Sequence, residues 1–378
     1  MSRVTIDARK IADFGIGTYL RGLLTGLAEL DGDNDYTIVA PVAGRRLLPA
    51  LPERWRWVDE ATPGYSLREQ LLVGRRLRAT APDLVHEPHY VLPPGTPAPV
   101  VLTVHDLIHL SHPEYLPHAA ARVYARWLMR RSVRRAARII TVSAASADAL
   151  ARHLGVPRER IAVIWNGVDD AFRQPLAPEE LAARLRERGL EPGYLLFAGN
   201  PKPHKNLDRL LAAFRAVDLP QARLVLIGGA PAPAGDPRVH SLGRPPDEAL
   251  PALFQGAGAL LFPSLVEGFG LPVAEAMASG TPVLAAKIPA VVEIAENAAE
   301  LVDPLDVGAW SAAIARLLVD PDRAAHLAAA GRSRAEAFRW PEVARRTLEI
   351  YGELLAERRD EPPDDRAGAR LAHRPAGG

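Results

Sequence analysis

The sequence contains no cysteine. Disulfides, thiolate metal sites and cysteine nucleophiles are therefore excluded. No apolar run approaches the ~20 residues that a membrane-spanning helix needs. Residues 1–7 enter a strand pattern directly, without the charged and apolar regions of a secretory signal. These absences predict a cytoplasmic protein without a membrane-spanning segment.

Common ligand motifs are also missing. Gly15 and Gly17 lack the third glycine of a dinucleotide fingerprint, so the sequence predicts no NAD site. No Asp-x-Asp pair follows a predicted strand, so it predicts no divalent metal site. No aromatic stacking platform accompanies the basic residues, which argues against a nucleic acid partner.

The chain has 378 residues, more than one hydrophobic core usually supports, so two domains are expected. The net charge of +1 is unevenly distributed. Residues 1–168 hold 22 Lys and Arg against 16 Asp and Glu, whereas the remainder holds 24 against 29. The basic first part and the acidic second part are expected to meet different partners.

Strand-like and helix-like segments alternate along the chain. Alternating βα units predict parallel sheets covered by helices on both faces. The expected fold class is therefore α/β, with two doubly wound, Rossmann-like domains. The predicted strands span residues 4–7, 36–40, 83–86, 99–104, 139–143, 161–164, 194–198, 224–228, 239–242, 260–262, 283–285 and 301–303.

Residues 262–283 (FPSLVEGFGLPVAEAMASGTPV) carry most of the functional information. The pattern predicts a buried strand, a glycine-rich turn with Glu267, and a short helix from about Pro272 to Gly280 with Glu275 in its first turn. Free N–H groups at a helix N-terminus suit a phosphate. Two carboxylates beside them can accept hydrogen bonds from hydroxyls, so the segment favours a nucleotide sugar.

Three other segments place polar groups at strand ends, where open α/β sheets bind ligands. His105 and Asp106 follow a buried strand, and Asp106 is expected to cap the next turn. Residues 199–206 (GNPKPHKN) form a cationic loop that opens a helix. Gly15 and Gly17 are expected in a second flexible loop after the first strand.

Together these segments resemble the retaining GT-B glycosyltransferases of family four. The resemblance rests on residues 202–206, 262–283 and 105–106, joined by 139–143 (IITVS) and 164–169 (IWNGVD). It extends from about residue 3 to about residue 355. It implies the GT-B architecture, in which two domains face a central cleft.

The resemblance also implies a role for each part of the chain. Residues 1–168 would bind the acceptor, and residues 169–340 would bind the nucleotide sugar. Residues 341–357 would form a helix that crosses back to the N-terminal domain. Residues 358–378 are rich in Pro, Gly and charge and are predicted to be a disordered tail.

Site residues follow from the same resemblance. Glu275 would bind the ribose hydroxyls, and Glu267 would lie beside the transferred sugar, which His105 would contact from the opposite domain. Lys205 would neutralise the leaving diphosphate. Backbone N–H groups would hold the sugar and distal phosphate, namely those of Gly268, Phe269, Gly270 and Leu271. The same nucleotide site would include the backbone of Gly15, Gly17 and Gly199.

One position departs from the family pattern. Many members carry arginine directly before the loop lysine, where this chain has His204. The second cation of the diphosphate clamp is therefore either Lys202 or His204. The resemblance implies transfer with retention and without a metal ion, the leaving phosphate accepting the proton of the acceptor.

The donor and acceptor are less sharply defined. This form of the loop resembles mannosyl-transferring members and favours GDP-mannose, while UDP-sugars stay open. A growing polysaccharide, a lipid-linked saccharide or a small molecule would each fit as acceptor. Two alternatives are a GT-B epimerase or phosphorylase and a non-catalytic sugar-nucleotide-binding protein, and the retained glutamates and Lys205 favour an active transferase.

Arginines recur at every fourth residue between 122 and 138. On a helix they would form a basic stripe beside an apolar one. Such a stripe is typical of a solvated surface helix, or of a helix docked on anionic lipid at the inner face of the membrane. The residues are Arg122, Arg126, Arg130, Arg134 and Arg138.

Overall fold

The computed structural model describes residues 1–66, 68–97, 99–115 and 119–360. Their strands are β1 (Arg3–Asp7), β2 (Asp35–Ala40), β3 (Arg56–Asp59), β4 (Leu84–Glu87), β5 (Val100–Val104), β6 (Arg138–Thr141), β7 (Ile161–Val163), β8 (Tyr194–Ala198), β9 (Leu224–Ile227), β10 (Val239–Ser241), β11 (Ala257–Phe262), β12 (Val283–Ala286) and β13 (Glu300–Val302). Their helices are α1 (Phe14–Leu30), α2 (Gly74–Ala79), α3 (Ile108–Ser111), α4 (Ala119–Arg135), α5 (Ala144–Leu154), α6 (Pro178–Arg186), α7 (Leu207–Arg215), α8 (Leu250–Gln255), α9 (Leu271–Ser279), α10 (Pro289–Ala295), α11 (Val307–Val319), α12 (Pro321–Ala335) and α13 (Trp340–Asp360).

The strands form two sheets with the same winding. The first has the order β3-β2-β1-β4-β5-β6-β7, and the second has the order β10-β9-β8-β11-β12-β13. In each sheet the chain moves outward from its first strand and then returns to that strand's other side, which is the doubly wound arrangement. The pairings of β1 with β2 and β4, and of β8 with β9 and β11, are parallel. The predicted α/β class with two doubly wound sheets is confirmed.

The chain divides into two compact units. The first comprises Met1–Thr103, Arg131–Ile140 and the described chain from Ala344, and the second comprises Val104–Arg130 and Thr141–Val343. The units interleave along the sequence, so the domain ranges 1–168, 169–340 and 341–357 remain a prediction.

Central strands of both sheets are buried on both faces. In a parallel sheet covered by helices on each side, the residues of both faces are buried. This explains the continuous apolar runs in the sequence. Fully buried examples are Val4, Ile6, Val85 and Val101 in the first sheet and Leu196, Leu226, Leu260 and Leu284 in the second.

The segment after β1 is helical where the sequence predicts a flexible loop. Helix α1 begins at Phe14, so Gly15 and Gly17 lie in its first turn, and the predicted flexible loop there is wrong. A Cβ on Gly17 would lie 2.5 Å from the carbonyl oxygen of Ile11. Close packing against that carbonyl therefore explains Gly17, and contact of either glycine with a phosphate remains a prediction.

Two other differences lie at the edges of the fold. The sequence does not predict strand β3 because its four residues are exposed or half-buried and form no apolar run. Helix α13 continues to Asp360, past the predicted start of the tail at residue 358, and residues 361–378 lie outside the described chain. No helix among the described residues is both long and apolar enough to cross a membrane.

Candidate functional site

The second sheet has its topological switch point between β8 and β11. These strands are adjacent and parallel, with Leu196 opposite Leu260. The neighbours β9 and β12 lie on opposite sides of them. The loops after β8 and β11 therefore leave the same sheet edge in diverging directions and form a crevice of the kind that binds ligands in such sheets. Most of the predicted site residues lie on these two loops.

An ion pair connects the two loops. Lys205 Nζ lies 2.6 Å from Glu267 Oε1, and the side chains are 14% and 11% exposed. The ammonium group of Lys205 also lies 5.5 Å from the ring centroid of Phe262, the last residue of β11. The structure thus brings the predicted cation and the predicted sugar-binding carboxylate into direct contact.

Hydrogen bonds fix the same two loops against each other. Asn206, in a left-handed conformation with φ of 58°, donates from Nδ2 to the carbonyls of Pro263 and Pro304 at 3.0 and 2.8 Å. The backbone N–H of Leu265 donates to the carbonyl of His204 at 2.8 Å. Asn206 therefore positions Lys205 relative to Glu267, a role that the sequence interpretation missed.

The glycine turn after Glu267 is closely packed. A Cβ on Gly268 would lie 1.9 Å from the carbonyl oxygen of His105, so only glycine fits there. The carbonyl of Gly268 accepts hydrogen bonds from Ser143 Oγ at 2.6 Å and Ser146 Oγ at 3.3 Å. Ser143 also caps α5 by accepting from the N–H of Ser146 at 3.0 Å. These contacts hold the turn in one conformation.

The turn ends at α9. Gly270 precedes this helix with φ of 106°, Pro272 lies in its first turn, and Gly280 ends it with φ of 72°. These limits confirm the predicted helix, but its start at Leu271 puts Glu275 in the second turn, so the predicted first-turn position is wrong. Among the described residues, no acceptor is bonded to the N–H groups of Gly268, Phe269, Gly270 and Leu271.

Glu275 lies in an electronegative, desolvated position on α9. Burial raises the pKa of its carboxyl group to about 8, and the charges of Asp247 and Asp169 add to this effect. No hydrogen bond to its side chain occurs in the described structure. A partly exposed carboxyl group in such a place is typical of a ligand site rather than of a solvated helix surface.

The cationic loop has one charged and one neutral side chain next to Lys205. Burial lowers the pKa of His204 to about 4, so its imidazole is uncharged near neutral pH. Lys202 is exposed at the start of the same turn. Gly199 follows β8, and a Cβ there would lie 3.2 Å from the ring of Phe197. Of the two candidates for the second cation, the structure favours Lys202.

His105 and Asp106 lie directly after β5. His105 belongs to the second compact unit, where its carbonyl contacts Gly268, although the resemblance implies action from the opposite domain. Asp106 Oδ1 accepts from the N–H of Ile108 at 3.0 Å, as expected of a turn cap. Burial raises the pKa of Asp106, and the nearby charge of Glu267 contributes.

Two polar side chains at the crevice were missed from sequence. Asn200 follows β8 and Ser264 follows β11, and the buried atoms Asn200 Oδ1 and Ser264 Oγ have no hydrogen-bond partner in the described structure. Buried polar atoms are usually satisfied, so an unsatisfied pair at one sheet edge points to a ligand. Counting polar residues within two positions of each strand end would have found them.

The arginine pattern is only partly helical. Arg122, Arg126, Arg130 and Arg134 lie on α4 and are exposed. Arg138 begins β6 and forms an ion pair with Glu357, so its predicted place on the helix is wrong. Tyr124 and Trp127 are 43% and 55% exposed among the arginines, and their rings stack with centroids 6.2 Å apart.

Two family models match the chain. The model described as Glycosyltransferase Family 4 matches residues 15–172, and the model described as Glycosyl transferases group 1 matches residues 184–334. The second match contains the Lys205 loop, the Glu267 turn and helix α9.

Individual proteins agree with these models. O-antigen chain mannosyltransferase B of Escherichia coli is 30% identical over 322 residues, covering 81% of this chain and 81% of that protein. A D-inositol 3-phosphate glycosyltransferase of Xylanimonas cellulosilytica is 33% identical over 287 residues, 69% of this chain and 67% of that protein. The crystal structure of HepE from Anabaena in complex with UDP-glucose has a TM-score of 0.75 at 19% identity, covering 94% of this chain and 100% of that chain, and shows the fold. The chain therefore belongs to the GT-B glycosyltransferases of family four, the glycosyl transferases group 1.

Proposed function

We propose that this glycosyltransferase moves a hexose from a nucleotide diphosphate sugar to a saccharide or lipid-linked acceptor, with retention and without a metal ion. The observation that carries the proposal is the Lys205–Glu267 ion pair at the switch point of the second sheet. Next to it, at the start of α9, lie four N–H groups for which the described part of the chain supplies no acceptor. A cation and a helix N-terminus suit a diphosphate, and a carboxylate suits sugar hydroxyls.

The proposed reaction uses these groups together. Lys205 and the N–H groups of the glycine turn stabilise the charge that develops on the diphosphate as its bond to C1 of the sugar breaks. The acceptor oxygen bonds to C1 on the face that the phosphate leaves, and its proton passes to the leaving phosphate oxygen. Glu267 accepts hydrogen bonds from the sugar, His105 contacts it, and Lys202 supplies the second cation. Asn200 and Ser264 offer further polar contacts to the bound donor.

Glu275 is proposed to bind the ribose. It lies on α9, about one helical turn beyond the N–H groups that would hold the phosphates. A carboxyl group that is partly desolvated gains more from hydrogen bonds to two hydroxyls than a solvated one does.

GDP-mannose is the proposed donor, and the bacterial O-antigen mannosyltransferase among the relatives supports both this choice and a place in polysaccharide biosynthesis. Because the HepE structure contains UDP-glucose, UDP-glucose is the main alternative donor to GDP-mannose. We expect product formation from GDP-mannose, but not from UDP-glucose or ADP-glucose, when each is supplied with a mannose-terminated oligosaccharide. Glu275→Ala should weaken GDP binding in a thermal-shift titration, whereas Glu179→Ala on the exposed face of α6 should not. The donor assignment would be contradicted if all three donors were turned over equally, or if none of them were turned over.

We also propose that the exposed face of α4 docks on anionic lipid at the inner face of the membrane. Its arginines alternate with Tyr124 and Trp127, and this mixture of basic and aromatic side chains suits the headgroup region. Each basic residue near such a surface contributes roughly 1 kcal/mol. This contact would make a cytoplasmic enzyme peripheral to the membrane.

Vesicle co-sedimentation tests the docking proposal. At low salt the wild type should bind vesicles that contain 30% phosphatidylglycerol, which is roughly the composition of an anionic leaflet. It should not bind vesicles of pure phosphatidylcholine. The double variant Arg126→Glu, Trp127→Ser should lose binding, and Arg186→Glu on α6 should keep it. Binding that ignores lipid charge and salt would overturn the proposal.

A further inference from the structure

A cavity lies at the carboxyl edge of the first sheet, apart from the crevice of the second sheet. Its volume is about 270 Å³, and it is lined by the residues that end two neighbouring strands, Asp7 of β1 and Glu87 of β4. Because β2 lies beside β1 and β5 lies beside β4, the cavity occupies the switch point of this sheet. Such switch points are the positions where doubly wound sheets bind their ligands.

An arginine inside this cavity is bound mainly to protein acceptors. Arg9 donates to both carboxylate oxygens of Asp7 at 2.8–2.9 Å and to Glu69 Oε1 at 2.9 Å. Its remaining Nη1 donates to the carbonyl of Thr62 at 3.1 Å. Every nitrogen of the guanidinium group therefore has a protein partner, and the N–H that is left cannot form the bidentate contact that arginine often makes with a phosphate.

The lysine of the lining is paired as well. Lys10 Nζ lies 3.1 Å from Asp13 Oδ2, and its ammonium group lies 5.2 Å from the ring centroid of Tyr65. With Arg9 and Lys10 both engaged, the described lining offers no unpaired arginine or lysine. Its carboxylates outnumber these cations, so the cavity is electronegative.

Glu87 provides one polar atom that the protein does not use. Its side chain belongs to a residue that is 2% exposed, and Glu87 Oε2 has no hydrogen-bond partner in the described structure. Burial holds the pKa of this carboxyl group well above its usual range, and the charge of Asp7 acts in the same direction. A side-chain hydrogen bond with Asp7 also raises this pKa, so the proton of the carboxyl group is shared with Asp7, and Oε2 is left to accept a hydrogen bond from a sugar hydroxyl. Leaving it unpaired next to a cavity is costly unless a ligand satisfies it.

We infer that this cavity binds the acceptor as an uncharged polyhydroxylated sugar and excludes a phosphorylated one. The inference rests on the proposed transferase function, which requires an acceptor. Carboxylates and a buried carboxyl group satisfy hydroxyls through hydrogen bonds. A phosphate ester in the same place would meet more carboxylates than cations and would lose its hydration without compensation.

The probes for the test are methyl α-D-mannopyranoside and its 6-phosphate, which differ in charge at one position. Their binding is titrated by ligand-observed NMR, with GDP binding measured in parallel. The wild type should bind the neutral probe and bind the phosphate at least tenfold more weakly, a difference of about 1.4 kcal/mol. Glu87→Leu should weaken the neutral probe roughly fivefold, the effect of about one lost hydrogen bond.

A second variant tests the electrostatic part. Asp13→Asn releases Lys10 and should strengthen binding of the phosphorylated probe roughly threefold without changing the neutral one. Asp83→Asn, in an exposed ion pair outside the cavity, is the matched control and should change neither. The inference is overturned if the wild type does not bind the neutral probe, if it binds the phosphate as tightly, or if Glu87→Leu binds the neutral probe unchanged. Loss of GDP binding by the wild type would instead count against the proposed function.

Discussion

Lys205 and Glu267 form a largely buried ion pair, with Nζ 2.6 Å from Oε1, between the loops that follow β8 and β11. Removing one partner of such a pair leaves the other as an uncompensated charge, so the loss is structural as well as chemical. The two residues proposed to act on the donor therefore also hold the crevice in shape. Stability and activity have to be measured together to separate these roles.

Replacement of Lys205 should reduce both quantities. Lys205→Met should lower the rate of transfer by ~10²–10³, because a group that stabilises leaving-group charge is lost. It should also lower the free energy of unfolding by about 1–3 kcal/mol, because Glu267 keeps its buried charge without a partner. Steady-state kinetics and urea denaturation measure the two effects.

The double variant Lys205→Met, Glu267→Gln separates them. Stability should return towards that of the wild type because no unpaired charge remains, while transfer should stay low. Lys287→Met, at an exposed lysine, is the control and should affect neither. Full activity in Lys205→Met would remove Lys205 from the proposed mechanism.

Glu275 should make stability depend on pH. Its pKa is about 8 in the folded protein against an ordinary value of 4.5, so the folded state holds the proton more tightly than the unfolded state. The contribution of the Glu275 carboxyl group to the free energy of unfolding is therefore complete below pH 4.5, falls as the pH rises, and is lost above pH 8. Glu275→Gln should match the wild type near pH 4.5 and exceed it in free energy of unfolding at pH 9. A variant that is no more stable than the wild type at pH 9 would contradict this assignment.

His204 should act in the opposite direction. Its pKa is about 4 in the folded protein and 6.5 ordinarily, so the unfolded state binds a proton first as the pH falls. The contribution of His204 to the free energy of unfolding is therefore fully present above pH 6.5 and is lost as the pH falls from 6.5 to 4. In chemical denaturation, His204→Gln should show a smaller loss over this range, whereas the exposed His240→Gln should follow the wild type. Parallel curves for all three proteins would show that His204 is not buried in its neutral form.

Gly268 should tolerate no side chain. In Gly268→Ala the new Cβ would meet the carbonyl oxygen of His105 at 1.9 Å, so the turn must move and lose its bonds to Ser143 and Ser146. We expect a destabilisation of about 1–3 kcal/mol and a larger fractional loss of transfer. Gly352→Ala is the matched control, since this exposed position on α13 has open space, and it should gain about 0.5–1 kcal/mol. Equal stabilities of the two variants would show that the turn is not tightly packed.

Local signals explain what the sequence predicted. Helix α9 was found because Gly270, Pro272 and Gly280 specify its ends through backbone conformation alone. The parallel sheets were found because buried strands are continuous apolar runs. Both features depend on neighbouring residues, which a single sequence displays directly.

Contacts between distant segments explain what it did not. The pairing of Lys205 with Glu267 joins residues 62 positions apart and exists only because β8 and β11 are neighbours in the sheet. The sequence predicts a loop at Gly17 because the contact of Gly17 with Ile11 cannot be inferred from composition. The cavity at Asp7 and Glu87 likewise depends on β1 and β4 being adjacent.

The stereochemistry of transfer and its response to a chelator distinguish a retaining, metal-independent transferase from the alternatives. The wild type is incubated with GDP-mannose, whose mannosyl group is α-linked, and a mannose-terminated oligosaccharide in the presence of EDTA, and the anomeric configuration of the product is read by NMR. A retaining, metal-independent enzyme gives an α-linked product, formed at the same rate with and without EDTA. A β-linked product, or a rate that EDTA abolishes and added Mg²⁺ restores, would contradict that mechanism.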